Sequence, residues 1–177
     1  DLLLSYEYGN AFTDVYINKN IDGYDFDQVD IGLKSACDKI VEVCDYDNDN
    51  DVDIFYSYHD ASTSPYSYCS YIYRNDGNNN FFQINLDTCE QIRAKSADWG
   101  DFDNDGDKDL LLSCRLIFYG SAAYYDCRIY ENKGNDVFEK IDIDTEGIFG
   151  NISWCDFNND SYLDIIVSGR LEPYGSY

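Results

Sequence analysis

The stretch that decides the fold runs from Trp99 to Leu111 and reads Trp-Gly-Asp-Phe-Asp-Asn-Asp-Gly-Asp-Lys-Asp-Leu-Leu. Aspartates stand at every second position from Asp101 to Asp109, so that five carboxylates fall within nine residues. Aspartate and asparagine favour ordinary polar turns, but such a turn does not require so many mutually repelling carboxylates. Ca²⁺ takes six to eight oxygen ligands in a flexible geometry. The stretch therefore predicts a Ca²⁺-binding loop instead of a solvated acidic turn.

Two other segments, residues 45–53 and 156–164, have the same form. Carboxylates at loop positions 1, 3, 5 and 9, with the backbone carbonyl of position 7, can surround a cation on the inner side of a tight turn. The predicted ligands are Asp45, Asp47, Asp49, Asp53 and the carbonyl of Asp51 in the first loop, Asp101, Asp103, Asp105, Asp109 and the carbonyl of Asp107 in the second, and Asp156, Asn158, Asp160, Asp164 and the carbonyl of Tyr162 in the third.

The three loops differ in quality as metal sites. Position 6 should adopt a left-handed backbone conformation, which Gly106 accommodates best, Asn50 acceptably and Ser161 least well. Asn158 also replaces a charged ligand in the third loop. We therefore predict about one Ca²⁺ ion per loop, with the weakest binding in the third.

The acidic loops belong to a longer tandem repeat. A motif of the type Asp-Leu-Leu-Leu-Ser begins at residues 1, 53, 109 and 164, so its copies start 52, 56 and 55 residues apart. An apolar-Tyr-x-Asn motif follows at residues 15, 72 and 129, and a third landmark begins at Phe26, Phe82 and Phe138. Three landmarks that stay in step indicate one supersecondary unit repeated along the chain.

Each repeat predicts four strands and no helix. The first strand precedes the acidic loop, as at residues 95–99 and 152–154, and the three motifs supply the other strands. Polar turns at residues 75–78 and 132–135 join the last two strands as hairpins. The second strands are apolar at successive positions, which indicates that sheets cover both of their faces. Four short antiparallel strands per unit, stacked radially, describe a β-propeller blade.

The predicted all-β chain divides into two complete blades, at residues 31–87 and 88–144. A partial blade with strands two to four occupies residues 1–30, and another with strands one and two occupies residues 145–177, all within one propeller domain. Propellers contain about four to eight blades. We therefore expect either a fragment of a longer chain or an assembly of several copies, and favour the fragment because Asp1 falls in mid-motif.

The motif from Trp99 to Leu111 resembles the FG-GAP and VCBS repeats of integrin-α-like β-propellers, and the likeness covers nearly the whole chain. An EF-hand is a poorer match, because a strand follows the loop and position 12 carries Tyr56, Leu112 or Val167 instead of glutamate. The resemblance implies a Ca²⁺ ion in each loop, on one face of a propeller. The departures are Cys44 and Cys155 in the place of Gly100, Val43 in the place of tryptophan, and Asn158 in the place of the second acid.

Charge and cysteine content restrict the partners and the compartment that we expect for the protein. The chain carries 12 Lys and Arg against 35 Asp and Glu, a formal charge of −23, which disfavours nucleic acid and anionic lipid as partners. No apolar run is long enough for membrane insertion. Seven cysteines without a Cys/His zinc set fit an oxidising compartment, so we expect an extracellular or cell-surface protein. Sequons for N-glycosylation begin at Asn151 and Asn159.

Two further interpretations concern single residues. Cys114 ends the second strand and Cys127 begins the third strand of one unit, which predicts a hairpin disulfide. Trp99 and Trp154 are interpreted as wedges between blades instead of ligand platforms.

The links between strands two and three, at residues 59–68 and 115–126, are rich in Tyr and Ser. They are either binding loops or ordinary solvated loops, on the face opposite the acidic loops. We predict a non-enzymatic module for adhesion, for protein or glycan recognition, or for self-association into an extracellular assembly. The alternatives are a lectin-type propeller and a polysaccharide lyase-like enzyme. The enzyme is disfavoured because most clustered acids are assigned to metal and the chain has a single histidine.

Overall fold

A computed structural model describes residues 2–5, 15–20, 26–30, 33, 37–60, 67–78, 80–86, 92–116, 124–143 and 148–171. These residues form thirteen β-strands and no helix. It follows that no helix among them could cross a membrane. The predicted all-β fold class is confirmed.

The strands form antiparallel sheets that follow one another along the chain. A three-stranded sheet contains β1 (Leu2–Ser5), β2 (Val15–Asn20) and β3 (Phe26–Asp30). A four-stranded sheet contains β4 (Cys37–Cys44), β5 (Asp53–Asp60), β6 (Ser67–Asn75) and β7 (Phe81–Asn85). A second four-stranded sheet contains β8 (Ile92–Gly100), β9 (Asp109–Leu116), β10 (Tyr124–Asn132) and β11 (Phe138–Asp142). The last sheet pairs β12 (Ile148–Cys155) with β13 (Asp164–Leu171). The central sheets are the four-stranded meanders expected of propeller blades.

The first strands begin earlier than predicted, at Ile92 instead of Lys95 and at Ile148 instead of Ile152. In β8 the register with β9 shifts between Ala94 and Ser96. Such a bulge interrupts the alternation of inward and outward side chains. The first half of the strand therefore does not show the period-two pattern by which a strand is predicted from sequence. The predicted hairpins between the last two strands are confirmed, since Asp76 N–H donates to the Asn80 carbonyl at 2.9 Å.

The sheets stack face to face, and the second strands of the two four-stranded sheets, β5 and β9, each lie between two cores. In β9, Leu110 and Leu112 pack with Phe55 and Ile72 of the preceding sheet, whereas Leu111 packs with Ile152 of the following one. Leu110, Leu111 and Leu112 are fully buried. The unbroken apolar run therefore reflects burial on both faces, as the sequence predicted.

The serine that closes the second-strand motif joins neighbouring sheets. Ser57 Oγ accepts a hydrogen bond from Ala94 N–H at 3.4 Å, and Ser113 Oγ accepts one from Gly150 N–H at 3.3 Å. Both serines are buried. A hydroxyl inside an otherwise apolar strand thus satisfies backbone groups of the next sheet, which an apolar residue would leave unpaired.

Gly100 lies in close contact with side chains of the following repeat. A Cβ atom at this position would stand 2.6 Å from Trp154 Cδ1 and 2.7 Å from Leu163 Cδ1, both in the following repeat. We expect Gly100→Ala to lower the free energy of unfolding by about 1–3 kcal/mol through overpacking. Urea unfolding measures the loss. Cys44→Ala, at the equivalent position where a Cβ is already present, is the matched control and should cost less; equal losses would contradict the steric explanation.

Candidate metal centre

The acidic loops connect the first and second strands of each sheet, so strand pairing fixes their ends. Asp53, Asp109 and Asp164 lie opposite Cys44, Gly100 and Cys155, respectively, in the antiparallel registers. Position 9 of each loop is therefore brought next to position 1. All three loops leave the same end of the strand pair, where the chain passes from the first strand to the second.

The first two loops gather carboxylate oxygens into clusters. In the first loop Asp45, Asp47 and Asp49 offer oxygens that lie within 4.8 Å of one another. In the second loop Asp101, Asp103 and Asp109 do the same. The described residues of the third loop contain no comparable group of three acids, because Asn158 occupies position 3.

Position 9 has a second role that the sequence did not predict. Asp53 accepts hydrogen bonds from Tyr46 N–H at 2.9 Å and Asn75 N–H at 2.8 Å. Asp109 likewise accepts from Phe102 N–H at 3.1 Å and Asn132 N–H at 2.9 Å. Both carboxylates are fully buried, and burial raises the pKa of Asp53 to about 7 and that of Asp109 to about 6. These aspartates tie the start of the loop to the end of the third strand.

Position 1 holds the turn. Asp45 accepts hydrogen bonds from the N–H groups of Asp49 and Asn50, both at 3.0 Å. Asp156 does the same for Asp160 at 3.1 Å and Ser161 at 3.0 Å, and Asp101 accepts from Gly106 N–H at 3.2 Å. Position 1 is thus bonded to position 6 in all three loops and to position 5 in the first and third loops.

The predicted left-handed conformation at position 6 is confirmed, with φ of 74° at Asn50, 102° at Gly106 and 72° at Ser161. Position 4 is also left-handed in every loop, which the sequence analysis missed. The residues there are Asn48, Asn104 and Asn159, with φ of 62°, 62° and 60°. Asparagine is the non-glycine residue that best tolerates this region, so its recurrence at position 4 of all three loops could have predicted the left-handed conformation there.

The residues fit a hard cation with oxygen ligands. Asp101 Oδ1 is buried and makes no hydrogen bond, although it belongs to the cluster of the second loop. Burial together with the neighbouring carboxylate of Asp49 raises the pKa of Asp47. An uncompensated carboxylate oxygen among like charges is what a bound Ca²⁺ would satisfy. Of the side-chain ligands predicted in the first two loops, Asp53 and Asp105 lie outside the clusters.

The interpretation of the tryptophans as wedges between sheets is confirmed. Tyr46, at position 2 of the first loop, stacks on Trp99 with ring centroids 5.9 Å apart. Phe102, at the same position of the second loop, stacks on Trp154 at 5.9 Å. Phe157 is their equivalent in the third loop and is 79% exposed. The aromatic residue at position 2 of each loop was a sequence signal for this packing.

The predicted disulfide between Cys114 and Cys127 is wrong. Cys127 pairs with Ser113, and Cys114 pairs with Asp126, so the two cysteines are offset by one residue. Successive residues of a strand point to opposite faces, and the cysteines indeed belong to different cores. The central parts of the predicted links, residues 61–66 and 117–123, lie outside the described residues. Asn151, which begins a predicted sequon, is an exposed residue of β12.

Comparison with known families gives one match. The model of the FG-GAP-like repeat matches residues 45–112, a segment that contains both acidic clusters and the strands between them. No curated protein and no solved structure matches the chain. The resemblance expected from the acidic motif is confirmed for this segment: residues 45–112 match the FG-GAP-like repeat.

Proposed function

We propose that this protein is a Ca²⁺-stabilised, β-propeller-like module without enzymatic activity, which works outside the cell as a recognition or assembly unit. The observation that carries the proposal is the pair of carboxylate clusters, each with oxygens within 4.8 Å, on equivalent loops of successive sheets. Ca²⁺ would supply positive charge that neutralises these loops and links the two strands that each loop connects. The high Ca²⁺ concentration outside cells suits sites of this kind.

The far ends of the sheets support a recognition role. His59 stacks on Tyr68 with ring centroids 4.6 Å apart, and the guanidinium of Arg93 lies 5.7 Å from the centre of the Tyr68 ring. In the next sheet the guanidinium of Arg115 lies 6.0 Å from the centre of the Tyr125 ring. These rings lie at the end of the strands opposite the acidic loops. Partly exposed aromatic and arginine side chains are typical of surfaces that bind protein or stack on sugar rings.

Isothermal titration calorimetry tests the metal sites. Protein freed of divalent ions should bind Ca²⁺ with two stronger sites and one weaker site. Asp103→Ala removes a charged member of a cluster and should abolish one strong site. Asn158→Ala is the matched control, since it removes a neutral ligand at the same position of the third loop and should affect only the weak site. Absence of Ca²⁺-dependent heat, or three equal sites, would contradict the assignment.

Two assays separate the recognition role from its rivals. A glycan array with the Ca²⁺-loaded chain is expected to distinguish a lectin, which binds defined sugars, from a protein-binding module, which binds none. A depolymerisation assay on acidic polysaccharides should show no new chain ends, because the acids that could act in general acid–base chemistry are assigned to the loops. Chain cleavage that survives in the Asp103→Ala variant would instead establish an enzyme.

A further inference from the structure

Successive acidic loops are joined directly by asparagine side chains. Asn48 Nδ2, at position 4 of the first loop, donates a hydrogen bond to the Gly106 carbonyl at position 6 of the second loop, at 3.2 Å. Asn104 Nδ2, at position 4 of the second loop, donates to the Ser161 carbonyl at position 6 of the third loop, also at 3.2 Å. Position 4 of one loop is therefore hydrogen-bonded to position 6 of the next loop at two places along the chain.

The residue type at position 4 matches this role. Asn48 and Asn104 both have φ of 62°, a left-handed conformation that asparagine and aspartate tolerate. Among residues that tolerate it, only asparagine brings an amide N–H group that can donate to a carbonyl. An aspartate there would turn a carboxylate toward the carbonyl oxygen and would add charge to an already acidic loop.

The receiving residue lies inside the neighbouring metal site. Gly106 N–H donates to Asp101 Oδ2 at 3.2 Å, within the second loop, while the Gly106 carbonyl accepts from the first loop. The next carbonyl along the chain, that of Asp107, is a proposed Ca²⁺ ligand. Asn48 therefore helps to hold the peptide unit that precedes this ligand. Ser161 occupies the same place in the third loop, where its N–H donates to Asp156 at 3.0 Å.

We propose that Asn48 and Asn104 are positioning residues that couple neighbouring Ca²⁺ sites, so that the loops fill with positive cooperativity. The inference rests on the proposed binding of Ca²⁺ to these loops. Ordering of the first loop by Ca²⁺ fixes the amide of Asn48, and this amide then restricts the second loop to its binding conformation. Because coupling between two binding sites is reciprocal, Ca²⁺ in the second loop also strengthens binding in the first.

The test is a CaCl₂ titration of the full chain, freed of divalent ions and followed by two-dimensional amide NMR. The resonances of Asn50, Gly106 and Ser161 report the three loops separately. Asn48→Gly removes the amide but keeps a residue that adopts positive φ without strain. It should weaken Ca²⁺ binding at residues 101–109 by about twofold to tenfold, the value of one neutral hydrogen bond, and should abolish cooperativity between the first two loops.

Asn104→Gly should have the corresponding effect at residues 156–164. Asn159→Gly is the matched control, because Asn159 has the same loop position and a φ of 60° but makes no bond to another loop among the described residues. It should leave the first two sites unchanged. Independent sites in the wild type, or weakening confined to the loop that carries the substitution, would overturn the coupling while Ca²⁺ binding stands. A wild-type chain with no Ca²⁺-dependent shifts would overturn the proposed function and the coupling together.

Discussion

Removal of Ca²⁺ with EGTA should lower the melting temperature of this protein by roughly 10–20 °C. At a hundredfold excess over its dissociation constant, a ligand that binds only the folded state stabilises that state by about 2.7 kcal/mol per site. Two filled sites contribute about 5 kcal/mol, and each kcal/mol shifts the melting temperature of a domain of this size by about 2–4 °C. Thermal melts followed by circular dichroism, with and without the chelator, measure the difference.

The physical reason for this expectation lies in the two clusters. Their oxygens are within 4.8 Å of one another, and two unit charges 4 Å apart repel by roughly 4 kcal/mol at an effective dielectric constant of 20. Without a cation the loops should open, so that hydrogen exchange rises first where β4 meets β5 and where β8 meets β9. The melts are compared at moderate ionic strength, which screens distant charges. A melting temperature that EGTA leaves unchanged would show that sheet stacking alone maintains the fold.

Local rules predicted the parts of this molecule that depend on a few neighbouring residues. The strand motifs, the polar hairpin turns and the left-handed position 6 follow from side-chain pattern and backbone sterics, and the structure confirms them. Burial of β9 on both faces follows from its unbroken apolar run. These features repeat along the chain, so each copy supports the interpretation of the others.

The errors concern contacts between repeats and exact register. The hydrogen bond from Asn48 to Gly106 joins residues that are 58 positions apart in the sequence, and the sequence of one loop alone does not identify the acceptor. The disulfide prediction failed because a register offset of one residue places Cys114 and Cys127 on opposite faces of the sheet. Sequence spacing placed both cysteines near the same hairpin but could not resolve that single residue.

Substitution of Asp109 should separate the role of a metal ligand from that of a structural residue most clearly. Its carboxylate is fully buried and accepts the N–H groups of Phe102 at 3.1 Å and Asn132 at 2.9 Å, besides belonging to the acidic cluster. Asp109→Ala should therefore destabilise the protein even without Ca²⁺. The buried N–H of Asn132 and the partly buried N–H of Phe102 lose their acceptor, at a cost of about 1–3 kcal/mol each. Urea unfolding in EGTA should thus show a loss of roughly 2–6 kcal/mol.

Asp103→Ala is the matched control for this prediction. Asp103 belongs to the same cluster but is exposed, and its carboxylate accepts the N–H of Asp105 at 3.2 Å. In EGTA its loss should change stability little, because removal of one of several mutually repelling charges offsets the lost hydrogen bond. With Ca²⁺ present both variants should be destabilised, since each removes a ligand from the second loop. Asp109→Asn keeps one acceptor oxygen and should fall between wild type and Asp109→Ala in EGTA. Equal stability of all three variants and the wild type in EGTA would mean that Asp109 acts through the metal alone.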